Sequence, residues 1–334
     1  MRIIERLNRG LLAAGFVAVG IAVAGSAAPV QAQDYPSRPI TMIVPFPAGG
    51  ATDTVARIVA DRMHTSLGQA VVIENVVGAS GSIAAGRAAR AQPDGYTLIF
   101  GGLQTHVLNG ALFALHYDPR KDFEPVGLVA DMPMLLVGRN TLPASDLKEL
   151  IAWLHANPDK ATAGTPGAGT LSEIAGVFLQ KETNTRFQFI PYRGVGFAVQ
   201  DLMAGRIDLM VDFVSNSLPQ IRGGTIKAFA VLAKNRFAAA ADIATADEAG
   251  VPGLYTSAWQ AIFAPKGTPP ATIEKLNNAI VEALADPAVR RRLMDMAQDI
   301  PPRERQTPEA LAQLQEAEIA KWWPIIKTAG IRAE

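Results

Sequence analysis

Two short stretches of the chain carry residue types that can grip an anion without a basic side chain: PFPAGGATD at residues 45–53 and GTPGAGT at residues 164–170. Glycine lets the main chain approach a ligand closely and adopt conformations that other residues resist. A helix N-terminus offers unpaired N–H groups and about half a unit of positive charge. In the first stretch, Gly49 and Gly50 precede a helical pattern that Thr52 or Asp53 can cap. In the second, Gly164, Gly167 and Gly169 lead to Thr170, where the next helix starts. Facing each other, two such turns could close on an anion from opposite sides. Ordinary βα turns also use glycine. What favours a site is that two occur, each after the first strand of its own series.

Sharper chemistries fail on inspection. GTPGAGTL spaces its glycines as a phosphate loop would, but Thr170-Leu171 stands where Lys-Ser/Thr is required, which argues against a nucleotide cofactor. There is no G-x-S-x-G elbow, the four histidines show no metal-ligand spacing, and no cysteine exists for thiolate or Cys-metal chemistry. Asp53, His106, Asp208 and Asp212 could be imagined as an acid/base set, yet no nucleophile accompanies them, so the expectation is a binding protein without cofactor or metal rather than an enzyme. His106, in GGLQTHVLNG after a strand end, is a candidate cleft residue, and Arg193, in PYRG after another, is a candidate cation. Thr170-Leu171-Ser172-Glu173 fits a capping box, which turns Glu173 toward its own backbone.

The elements that must position these residues alternate. ITMIVP, AVVIEN and YTLIFG read as strands separated by helical patterns, the first with Val55, Ile58, Val59 and Met63 at helical spacing. This order calls for a parallel sheet covered by helices on both faces. A second series follows, with strands KATAG, FQFIP, IDLMVDF and IKAFAVLA separated by helices. WQAIFAP then leads into three helical stretches that end the chain. The expected architecture is two doubly wound α/β lobes joined by a hinge. The chain crosses between them near 134–138 and 259–264, giving lobe 1 from 33–136 and 257–334 and lobe 2 from 137–256.

Arg2, Arg6 and Arg9 before an apolar Ala/Gly-rich run, then VQA, have the layout of a cleavable signal peptide over residues 1–32. Removing it turns the formal charge from 0 to −2. Such a surface has no steering field for nucleic acid or anionic lipid.

The set YPSRPITMIVPFPAGGATDTVARIVADRM, ENVVGASGSIAAGRAARAQPDGYTLIFG, YDPRKDFEPVGLVA, GTPGAGTLSEIAG and PYRGVGFAVQDLMAGRIDLMVDF, in this order, resembles the Bug family. These are the extracytoplasmic solute receptors of tripartite tricarboxylate transporters. The resemblance covers essentially the whole chain after the signal. It implies a monomeric periplasmic binding protein that closes like a flytrap on a small carboxylate and presents it to membrane permease subunits, the alternative being a sensory receptor that presents it to a signalling partner. It also implies that main-chain amides and waters of the two turns hold the carboxylate. Carried over by motif, this adds Phe46 and Ala48 in the first turn and Thr165 in the second, and Thr105 beside His106 in the loop that usually holds Thr-His. Where members often have His after GxGSxS, this chain has Glu173, a change that would alter the ligand tail tolerated if the position reaches the cleft.

Overall fold

The computed structural model describes residues 35–332, and the expected signal peptide lies outside them. In chain order the first elements are β1 (Ile40–Val44), α1 (Ala51–Leu67), β2 (Val71–Asn75), α2 (Ser82–Ala89) and β3 (Thr97–Gly102). A π-helical turn (Gln104–Leu108), α3 (Asn109–Leu112) and β4 (Phe123–Arg139) follow. Next come α4 (Leu147–Ala156), β5 (Thr162–Thr165), α5 (Leu171–Thr183), β6 (Gln188–Pro191), α6 (Val195–Met203), β7 (Leu209–Phe213), α7 (Val214–Arg222) and β8 (Ile226–Val231). The chain returns through β9 (Ser257–Pro265) to α8 (Pro270–Ala285), α9 (Pro287–Asp295) and α10 (Pro308–Ala329).

The helix boundaries follow local chemistry. α1 stops at Gly68, whose left-handed φ of 69° closes the last turn. α9 and α10 begin with proline at the first helical position, capped by Asp286 and Thr307. Apart from Thr41, β1 is apolar, because helices cover both faces of the sheet.

Two α/β lobes share one sheet system ordered β2-β1-β3-β9-β4-β7-β5-β6, with β8 also on β4. In each lobe three strands are parallel, β2-β1-β3 and β6-β5-β7. The expected all-parallel sheet is corrected at the next position. β9 lies antiparallel to β3, and β4 lies antiparallel to β7, because each arrives from the opposite lobe and enters from the other end.

β4 belongs to both lobes. Pro133 pairs with Ser257 of β9, and the next residue, Met134, pairs with Phe213 of β7. On the return path, the Thr256 N–H donates to the Leu232 carbonyl before Ser257 opens β9. Both changeovers fall just before the expected crossing segments.

α10 braces the two lobes from behind. Trp322, fully buried, meets Phe178 of α5 edge-on at 5.4 Å, and Lys321 bonds the Tyr255 carbonyl. On the other side the Gln315 amide donates to the carbonyls of His106 and Pro119, and Trp323 Nε1 donates to that of Val107.

Candidate functional site

A cavity of about 300 Å³ opens where the two lobes meet. From the first turn it takes Phe46 and Thr52, from the second Thr170 and Leu171, and from the π-helical turn Gln104, Thr105 and Leu108. Gly101, Gly102, Met132, Phe213, Ala258, Trp259 and Gln260 supply the floor and walls. Both helix starts therefore border one crevice. No lining residue carries a formal charge.

The two turns are built alike. α1 starts from Gly50 and α5 from Thr170, both extended, and neither start has a side-chain cap. In each, the acid at the third helical position accepts from the amide four residues earlier: Gly49 N–H to Asp53 at 2.8 Å, and Gly169 N–H to Glu173 at 2.7 Å. Those two glycine amides are thus occupied, whereas the amides of the first helical residues have no side-chain partner. Glu173 does turn back on its own backbone, but onto Gly169 rather than the capping residue. Thr170 Oγ1 donates to the Gly167 carbonyl instead of capping.

The surroundings of the two acids differ. Asp53 is buried and also accepts from Arg57 and Asn75, both at 2.8 Å. The Arg57 hydrogen bond, aided by the Gly49 and Asn75 bonds, outweighs burial and holds its carboxyl down at about 2. Glu173 is half-buried, and among the described residues no cation pairs with it.

Several expected residues lie elsewhere. His106 is corrected from cleft lining to core: it is fully buried and stacked on Phe263 at 3.8 Å. The rotation between successive residues of the π-helical turn leaves Thr105 on the cavity and puts His106 in the core behind it. Burial lowers the imidazole to about 3, so the ring is neutral. Its Nδ1 lies 2.9 Å from Thr105 Oγ1, which also accepts from Gly102 N–H at 3.2 Å. Arg193 is exposed on the loop before α6, outside the cavity. Ala48, Gly49 and Gly50 sit on the exposed crest of the first turn, and Asp53 lies beneath it. Gly164 and Thr165 are buried at the end of β5. A Cβ on Gly164 would fall 2.4 Å from Ile207, a packing constraint. Gly167 and Gly169 have positive φ, 139° and 71°, and shape the second turn without lining the cavity.

Sequence reasoning missed the floor. A Cβ on Gly102 would lie 2.2 Å from the Trp259 carbonyl, so Gly102 lets β3 and β9 approach, whereas a Cβ on Gly101 would meet the His106 ring. It also missed the rim at Ser80, held at φ 50° while Asn109 donates to its carbonyl. The Gly-Gly pair ending YTLIFGG was the available signal. Among the described residues, no cluster of His, Asp or Glu could hold a metal and no helix is long and apolar enough to cross a membrane.

The family model described as "Tripartite tricarboxylate transporter family receptor" matches residues 55–331. The chain belongs to that family. It is a solute-binding receptor of the Bug type, a class of periplasmic receptors. BugT of Bordetella pertussis is 36% identical over 318 residues, covering 95% of this chain and 97% of its own. MatC from Rhodopseudomonas palustris, solved with bound malate, is 41% identical with a TM-score of 0.71 over 87% of this chain and all of its own. Rpa4515 from R. palustris, solved with adipate, is 33% identical with a TM-score of 0.72 over 90% and 99%.

Proposed function

We propose that this receptor captures a small organic carboxylate in the interlobe cavity and delivers it to the membrane permease of a tripartite tricarboxylate-type transporter. The observation that carries the reading is one crevice bordered by two uncapped helix starts. Amides of the first helical residues, Ala51 and Thr52 in lobe 1 and Leu171 in lobe 2, hold the anion. The bound malate of one relative and adipate of another support the ligand class. The protein acts as a monomer, exported by a cleaved segment at 1–32, and its lobes divide near 136/137 and 256/257. Closure follows if ligand touches both lobes at once, since it then binds the closed form better than the open one.

The amide clamp has a clean test. Ala51→Pro deletes one N–H at the first helical position, where proline fits. Gly50 is already extended at φ −72° and ψ 168°, as a residue before proline must be. Calorimetry should show at least a tenfold loss of affinity for a bound carboxylate with the melting temperature nearly unchanged. Unaltered affinity would sink the clamp.

A further inference from the structure

We infer that Gln104 selects among acids by hydrogen-bonding the body of the ligand, that Asn109 positions it to do so, and that the pair favours an acid carrying a hydroxyl over its deoxy analogue. The inference rests on the carboxylate reading above and names what recognises the rest of the molecule. Gln104 and Ser80 both line the cavity, and one residue behind the wall joins them.

That residue is Asn109, which is fully buried and donates through Nδ2 to the Ser80 carbonyl at 3.0 Å. A main-chain carbonyl only accepts, so this bond settles which end of the Asn109 amide is which. Its Oδ1, likewise only an acceptor, takes a hydrogen from Gln104 Nε2 at 2.8 Å. The Gln104 amide is thereby oriented in turn. It keeps two free positions: Oε1, which has no partner among the described residues, and the second hydrogen on Nε2. Oε1 cannot bond a carboxylate oxygen, since both only accept. A hydroxyl donates and accepts, so it can engage this amide where a methylene cannot. A site that hydrogen-bonds a hydroxyl discriminates against the analogue that lacks it.

The chain of bonds sits on a firmly held rim. Ala79 and Ser80 stand at left-handed φ of 44° and 50°, a strain that persists where surrounding contacts over-determine it. The Gly81 N–H donates to the Gly78 carbonyl at 2.9 Å, and a Cβ on Gly81 would fall 2.7 Å from Thr105 Cγ2. The rim is thus wedged against the π-helical turn that carries Gln104. Tyr117 donates to the Thr105 carbonyl at 2.9 Å and ties that turn down as well.

Calorimetry on the purified protein at pH 7.5 tests this with three matched pairs: malate and succinate, 3-hydroxybutyrate and butyrate, mandelate and phenylacetate. In at least one pair the hydroxy acid should bind at least fivefold tighter. Gln104→Met removes the amide at similar length and should bring that ratio below twofold. Asn109→Leu should do the same, and the double variant should go no further, because Asn109 acts through Gln104. Asn109→Asp keeps an acceptor for Gln104 Nε2 and should retain the ratio. Deoxy acids binding as tightly as their hydroxy partners in every pair would overturn the inference while leaving the carboxylate reading intact. A ratio that survives Gln104→Met would overturn the role given to Gln104. Asn109→Leu weakening both acids equally, or Asn109→Asp losing the ratio, would overturn the role given to Asn109. Binding by none of the six would overturn the inference together with the reading beneath it.

Discussion

The first and second turns share a plan but not a workload. Both place an acid at the third helical position and tie it to the glycine amide four residues back. Around the first, Arg57 and Asn75 lock the acid, and the neighbouring π-helical turn, β3, β4 and β9 furnish most of the cavity wall. Lobe 2 brings only Thr170, Leu171 and Phe213 to that wall. Lobe 1 thus supplies most of the cavity wall and lobe 2 the smaller part.

Substitutions can break that contrast. The largest difference is expected between two glycines. Gly102→Ala drives a Cβ against the Trp259 carbonyl, and β3 and β9 must part, at about 3 kcal/mol. Gly167→Ala has its nearest neighbour at 3.8 Å and suffers mainly from φ 139°, at about 1 kcal/mol. Urea denaturation of both variants ranks them, and equal losses would mean that lobe 1 is no more rigidly built.

Acid should act on lobe 1 through His106. Its pKa, lowered by burial to about 3 from 6.5, makes the stability it confers present above about pH 6.5 and lost as pH falls toward 3. Between pH 6.5 and 4.5 this amounts to about 2 kcal/mol. His106→Phe keeps a ring against Phe263 and should flatten the stability curve by that amount. A curve of unchanged slope would show that His106 is not the group responsible.

The smallest contrast separates the two acids. Asp53, held at about 2 against 3.8, contributes stability that is present above about pH 4 and lost as pH falls through 2. Asp53→Asn should lose about 1 to 2 kcal/mol at pH 7, discounted because Arg57 is half-exposed. Glu173→Gln should change stability by less than about 0.5 kcal/mol. Chemical denaturation at pH 7 distinguishes them, and a larger loss at Glu173 would reverse the assignment of the firmer turn.

Much of this arrangement was legible in the amino acids. Apolar runs of strand length and period-3.6 patterns located β1, β2, β3 and their helices to within a few residues, because strands covered on both faces and helices buried on one each leave a local signature. The strand antiparallel to β3 was not legible, since its direction depends on where the chain returns after β8. Nor was the burial of His106, which turns on a π-helical turn of five residues and on the ring of Phe263, 157 positions away in sequence. Glycine flagged the turns, but whether it lines a cavity or merely allows packing, as Gly164 does against Ile207, is a tertiary matter.

The 17-residue length of β4 has a mechanical consequence. A strand bonded into two sheets cannot slide in one without shifting register in the other, and a slip of one residue would reverse every side chain. Shear between the lobes is therefore closed off. The place where β4 passes from one set of partners to the other, between Pro133 and Met134, is where twist or bend between the lobes would be taken up.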